Sequence, residues 1–202
     1  AQKMVLISTD KAVNPSSAMG ATKRVAESYC QALDHARAEG ECQFLTVRFG
    51  NVLGSTGSVV PLFERQLAAG GPLTVTHRDI TRFFMTTREA VELVLQASTL
   101  GAQEPGGIFV LDMGEPVRIA DLAEQMIRLA GKRPYEDVDI EFVGLRLGEK
   151  RYEELFHDGE SLAPTDNASI QLATPRVADR EVLERAIDEL WNAVREGNNT
   201  AC

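Results

Sequence analysis

The chain has 202 residues, 44% of them hydrophobic and 25% charged, the composition of an ordinary globular domain or of one large piece of a longer protein. Its formal net charge of −9 argues against a general nucleic-acid binder, which needs a basic face, but not against a small anion held by a few local arginines. No apolar run nears the roughly 18 residues of a membrane-spanning helix, and the sequence shows no signal peptide, internal repeat or low-complexity tract. The three cysteines, Cys30, Cys42 and Cys202, are too few and too scattered for ligand spacing. They read as reduced thiols in a cytoplasmic protein with no metal site.

In chain order, Lys3–Ser8 (K-M-V-L-I-S) is a short apolar run that fits a buried parallel strand. The segment Asn14-Pro15-Ser16-Ser17 reads as a turn with a helix cap. Apolar residues then recur at helical spacing over residues 18–38. A second buried strand is predicted at Gln43–Phe49. A helix follows at Ser58–Ala69, with Pro61 in its first turn, where proline is tolerated. Leu73–Val75 is a short strand, and Thr86 or Thr87 caps a helix over Arg88–Thr99. Gly107–Leu111 is a strand, Val117–Ala130 an amphipathic helix closed by Gly131, and Ile140–Val143 a short strand. Gly148–Phe156 is predicted as a short helix. Asp179–Glu196 is a last helix, with Gly197 where a helix-ending glycine belongs; beyond it the chain reads as a frayed end. This alternation predicts an α/β fold with a parallel sheet.

Two clusters carry the chemistry. Ser8-Thr9-Asp10-Lys11 puts a carboxylate and an amine at the carboxyl end of the first strand, where open parallel sheets bind ligands. Met19 and Lys23, four residues apart, share a face near the start of the next helix. No strand is followed by G-x-G-x-x-G, so the dinucleotide phosphate loop is missing, and the chain opens directly on a core strand. The expectation is the C-terminal part of a longer protein.

Seven segments in order make a resemblance specific: S-T-D-K-A-V-N-P, M-G-A-T-K-R, R-F-G-N-V-L-G-S, G-S-V-V-P-L-F, T-R-F-F-M-T, L-D-M-G-E-P-V and R-L-G-E-K-R-Y-E-E-L. Together they resemble the bacterial polysaccharide-biosynthesis nucleotide-sugar dehydratases, such as the UDP-N-acetylglucosamine 4,6-dehydratases, over about Val5 to Phe156. The resemblance implies the C-terminal part of an extended short-chain dehydrogenase/reductase Rossmann-like fold, with a small substrate-binding subdomain and without its glycine-rich half. Residues 1–55 would be the end of the dinucleotide-binding sheet with the catalytic helix. Residues 56–202 would be mainly the nucleotide-sugar-binding portion, interleaved with the sheet and without a clear linker.

The implied reaction passes a hydride from sugar C4 to NAD, eliminates water across C5 and C6, and returns the hydride to C6, leaving a 4-keto-6-deoxy sugar. The resemblance implies NAD rather than NADP, a UDP-N-acetylhexosamine substrate, and a homo-oligomer of the full-length protein. That protein would be cytoplasmic, with a membrane anchor in some longer family members. Thr9 would hold the C4 oxygen, Asp10 would be the acid at the C6 hydroxyl, and Lys11 the base at C5. A lysine base needs burial or a nearby cation, and Lys23 would supply part of that field while binding the nicotinamide ribose. Ser8 and Phe49 would also border the cofactor. Met19 stands where the wider superfamily has the tyrosine of Tyr-x-x-x-Lys. Methionine has no acidic proton, so Asp10 would handle both the C4 and C6 protons and Met19 would pack; this favours a dehydratase that retains configuration at C5. Asn51 would contact the nucleotide-sugar diphosphate, Val60 and Pro61 the uracil or ribose, Arg82 and Arg146 the diphosphate, and Glu149 the ribose hydroxyls. Leu147 replaces the proline common in R-P-G-E-K. The competing readings are a UDP-sugar epimerase of the same family and a non-catalytic fragment that binds a UDP-sugar or a partner chain.

Overall fold

The computed structural model describes residues 1–55, 57–100 and 105–198. Cys202 and the expected frayed end beyond Asn198 lie outside the described residues. The elements run β1 (Lys3–Thr9), a 3-10 turn (Asp10–Ala12), α1 (Ala18–Ala36), β2 (Gln43–Phe49), β3 (Asn51–Val52), α2 (Val59–Ala68), β4 (Leu73–Val75), β5 (Thr81–Arg82) and β6 (Phe84–Met85). They continue with α3 (Thr87–Leu100), β7 (Ile108–Leu111), β8 (Val117–Arg118), α4 (Ile119–Leu129), β9 (Ile140–Phe142), β10 (Ser161–Pro164), β11 (Ile170–Thr174) and α5 (Arg180–Glu196).

Five strands form the main sheet in the order β1-β2-β7-β11-β10. β1 pairs β2 in parallel, from Lys3 opposite Gln43 to Thr9 opposite Phe49, and β2 pairs β7 in parallel. The expected parallel sheet is therefore correct for these three strands only: β11 is antiparallel to β7, and β10 to β11. The sheet's core is built by Leu45, Val47 and Phe49 of β2, Phe109 and Leu111 of β7, Ile170 and Leu172 of β11, and Ala90 and Ala97 of α3.

A second core lies beside it. Phe63 of α2, Leu73 and Val75 of β4, Ile80, Ile119 and Ile127 of α4, and Ile140 of β9 are all buried together. β4 and β9 pair in parallel here. Two further short pairs, β3 with β6 and β5 with β8, stitch this region to the main sheet.

Local chemistry sets the helix starts. The Ser17 side chain accepts from Gly20 N at the start of α1. Thr86 and Glu89 form a reciprocal capping box before α3, with Thr86 Oγ1 accepting from Glu89 N and Glu89 Oε2 accepting from Thr86 N. Gly197 ends α5 at φ 66°, a left-handed cap. One expectation fails: Gly148–Phe156 is not a helix but an irregular loop. Gly148 takes a positive φ of 74°, where an added Cβ would fall 2.5 Å from the Ser16 carbonyl oxygen. The loop is held against the β1–α1 connection by the Ser16 hydroxyl, which donates to Gly148 O, instead of by its own helical hydrogen bonds.

Candidate active site

The carboxyl end of β1 turns directly into the 3-10 turn, with Thr9 as its cap. Thr9 Oγ1 accepts from Lys11 N at 3.4 Å and donates to Asp10 Oδ1 at 2.8 Å. Asp10 is fully buried. Lys11 Nζ donates to Asp10 Oδ1 at 2.9 Å and to Asn51 Oδ1 at 3.2 Å. Asn51 is fixed in turn, because its Nδ2 donates to Phe83 O. Gly20 of α1 lies against the Lys11 carbonyl, so the helix that carries Met19 and Lys23 packs onto this turn.

The loop Arg146–Leu155 closes the cluster from the other side. Glu153 Oε1 lies 3.7 Å from Lys11 Nζ and 3.8 Å from Arg82 Nε. Arg82 Nη2 reaches Glu149 Oε1 at 3.4 Å, and the Thr76 hydroxyl donates to the same oxygen at 3.0 Å. Arg146 N donates to Glu149 Oε2, which folds this loop into a tight turn. Burial, the largest influence on Glu153, holds its carboxyl above the usual range; Asp10 adds to the rise, and Lys11, Arg82 and Lys150 oppose it. Asp10 Oδ2 and Glu153 Oε2 are both buried without a hydrogen-bond partner. Native proteins leave few such atoms unpaired, so two around one lysine ask for a functional explanation.

A cleft opens beside this cluster. Its walls are Asn51, Val59 and Leu62 of α2, Thr74 to Thr76, Arg82, Phe84, Ile119, Val143, Arg146 and Glu149. It joins Asn51, Arg82, Arg146 and Glu149 of the expected binding set in one space. Val60 and Pro61 do not line it; the flanking Val59 and Leu62 do. Arg82 is nearly buried and tied to Thr81 O, while Arg146 is exposed at the rim.

The expected cofactor-side residues are placed as follows. Met19 is about half exposed, and the Lys23 ammonium donates to Ile7 O of β1. Among the described residues, the ion pairs of the Lys11 ammonium are with the carboxylates of Asp10 and Glu153. The Ser8 hydroxyl donates to Glu27 at 2.6 Å, and Phe49 packs in the sheet core. Sequence reasoning missed Glu153 and Thr76. Glu153 lies within the quoted R-L-G-E-K-R-Y-E-E-L segment, but the expected helix there gave no reason to turn it toward Asp10 and Lys11.

Residues 1–175 match the family described as polysaccharide biosynthesis protein. The chain belongs to that family. It is 58% identical over 158 residues to the capsular polysaccharide biosynthesis protein CapD of Staphylococcus aureus, covering 78% of this chain and 26% of CapD. It is 39% identical over 165 residues to the UDP-glucose 4-epimerase of Rickettsia prowazekii, covering 82% of this chain and 46% of the epimerase. Among solved structures it is similar to Pen from Bacillus thuringiensis, with a TM-score of 0.75 and 34% identity over 89% of this chain and 55% of Pen. The chain thus spans about a quarter to a half of the length of these relatives. The Rossmann-like α/β fold expected from the sequence is the fold found, and the family includes nucleotide-sugar enzymes.

Proposed function

We propose that this chain is the catalytic and sugar-binding part of an NAD-dependent 4,6-dehydratase that converts a UDP-N-acetylhexosamine to a 4-keto-6-deoxy sugar for a surface polysaccharide or glycan. The observation that carries this reading is the meeting of Asp10, Lys11 and Glu153 at the edge of a cleft that holds Arg82 and Arg146. Inversion at C4 needs a hydride removed and returned. Breaking the C5–H and C6–O bonds also needs a base and an acid beside the ring, and this cluster contains candidates for both.

The described residues fit one end of the cofactor. Met19 and Lys23, four residues apart on α1, share a helix face, and the Lys23 ammonium donates to Ile7 O near the carboxyl end of β1, suited to a nicotinamide ribose. The chain has no glycine-rich loop for the dinucleotide phosphates. When bound, NAD accepts the C4 hydride and returns it at C6. The chain's own groups do the rest. Thr9 Oγ1 holds the C4 oxygen, and its hydrogen bond to Asp10 Oδ1 is a path for the C4 proton. Asp10 carries that proton to the C6 hydroxyl, which leaves as water. Lys11 removes the C5 proton. Met19 packs without titrating. Arg82 and Arg146 bind the diphosphate, since guanidinium forks match phosphate oxygens. Asn51 orients it, Glu149 accepts from the ribose hydroxyls, and α2 lies along the uracil.

Mass spectrometry of UDP-N-acetylglucosamine incubated with NAD and the full-length protein tests this. Loss of one water, abolished by Lys11→Ala, is the expected result. A product of unchanged mass that separates as a new isomer would make the protein an epimerase, as the Rickettsia relative is named. No turnover of any UDP-sugar would leave a binding module.

A further inference from the structure

An ammonium at Lys11 has to give up a proton before it can act as a base at C5. An ammonium has three donors and no lone pair; Nζ donates to Asp10 Oδ1 at 2.9 Å and Asn51 Oδ1 at 3.2 Å and is ion-paired with Glu153 Oε1 at 3.7 Å. One of these must take a proton before the amine can attack C5–H. The Asn51 amide does not accept protons at ordinary pH, and Asp10 is occupied with the C4 and C6 oxygens. Glu153 is left. Its side chain is 4% exposed, with one oxygen between Lys11 and Arg82 and the other buried without a partner.

We propose that Glu153 is the proton acceptor for Lys11, a positioning residue that converts the ammonium to the free amine that removes the C5 proton. This inference rests on the dehydratase reading. One proton passes from Nζ to the Glu153 carboxylate. The amine lone pair then bonds to the C5 proton, the C5–H electron pair forms the C5=C6 bond, and the C6–O pair leaves with the oxygen. That oxygen departs as water, taking the proton that Asp10 received from C4. As hydride is returned to C6, Lys11 gives its proton back to C5 and Glu153 returns its own to Lys11. No proton is gained or lost at Lys11 or Glu153 over the cycle.

Charged groups face Glu153 from three sides: Asp10 and Lys11 from the 3-10 turn, Arg82 from β5 and Lys150 from its own loop. Burial outweighs the three cations and leaves the carboxyl a better proton acceptor than a solvated one. Arg82 ties this group to the cleft, so a diphosphate that engages Arg82 also changes the field at Glu153. Proton transfer would then be coupled to substrate binding.

The test uses the full-length protein in deuterated water with UDP-N-acetylglucosamine. Three quantities are read for wild type, Glu153→Gln and Glu153→Asp: UDP-sugar affinity, reduction of the nicotinamide by absorbance, and deuterium at C5 by mass spectrometry. Glu153→Gln is expected to bind and to reduce the cofactor within about twofold of wild type, while C5 labelling falls about 100-fold at neutral pH. Labelling by Glu153→Gln should recover as the pH rises and hydroxide replaces Glu153 as the proton acceptor, and Glu153→Asp should restore part of it at neutral pH. Wild-type labelling and pH profile in Glu153→Gln would overturn the inference. So would an equal loss of binding, cofactor reduction and labelling, which marks a structural role. If wild type itself loses no water and labels no C5, the dehydratase reading falls and takes the proton route with it. A failure confined to Glu153→Gln in a protein that dehydrates leaves that reading standing.

Discussion

Gly20 has no space for even one methyl group. An added Cβ would sit 2.2 Å from the carbonyl oxygen of Lys11, on the turn that carries the proposed acid and base, and 3.2 Å from Pro15 Cβ in the connection that follows it. Backbone oxygen cannot yield as a flexible side chain can, so Gly20→Ala must push α1 off the 3-10 turn. The expected cost is about 1–3 kcal/mol of stability, read by urea unfolding, with a larger fall in kcat than rise in KM because the cleft arginines are untouched. A variant with native stability and native kcat would show that the close approach does not position Lys11. The same residues explain what the sequence disclosed. Asp10 and Lys11 are adjacent, and the strand before them is an uninterrupted apolar run, so chain order alone put them at a strand end. Glu153 reaches them only through the fold. Nothing in its neighbours Tyr152 and Glu154, both exposed, marks it as the one turned inward.

Three elements that are distant in sequence are joined by a buried ion cluster behind the site. Arg48 of β2 donates from Nε and Nη2 to the two carboxylate oxygens of Glu27 on α1, and from Nη1 and Nη2 to Glu160 before β10. Arg48 also holds Leu155 O, at the end of the loop that carries Glu153. Burial raises the Glu27 carboxyl, but the Arg48, Ser8 and Arg24 contacts outweigh it and leave it below the usual range. Glu27 therefore contributes stability that is fully present above the unfolded carboxylate value of about 4.3 and is lost as the pH falls through its lower folded value. Glu27→Gln is expected to cost about 3 kcal/mol at neutral pH, since it leaves a buried charge half paired. Its unfolding free energy should also fall less steeply than wild type between pH 5 and acid. A variant that tracks wild type over that range would show that the cluster does not link α1 to the sheet. The cluster also accounts for elements the sequence hid. β10 and β11 are short, β10 ends in proline, and neither has an alternating pattern long enough to read. Their place is fixed by the pairing of β11 with β7 and of β10 with β11 and by Glu160, which are tertiary causes. The helix expected at Gly148–Phe156 had the right formers but loses to Gly148 and to the side-chain ties of Glu149 and Lys150.

At the scale of the whole chain, the two cores are threaded, not strung in series. The chain leaves the sheet core between Val52 and Val59, returns between Ile80 and Phe83, leaves again between Met113 and Ile119, and returns between Phe142 and Leu155. Phe83 packs with one core and Phe84 with the other, so the seam is the segment Phe83-Phe84 that directly follows Arg82 of β5. Neither core can unfold without pulling on four crossings and on the walls of the cleft that lies along the seam. Phe63→Ala, in the smaller core, and Leu111→Ala, in the sheet core, remove side chains that are both fully buried. Each is expected to cost roughly 3–5 kcal/mol. Both should shift a single cooperative transition, with backbone circular dichroism and tryptophan fluorescence moving together. Saturating UDP should restore about 2.7 kcal/mol at 100 times its dissociation constant in either variant, because the proposed nucleotide cleft lies along the seam and not within one core. Two separated transitions, with UDP stabilising only the one lowered by Phe63→Ala, would instead mean that the cores are independent and that the smaller core holds the nucleotide without help from the sheet.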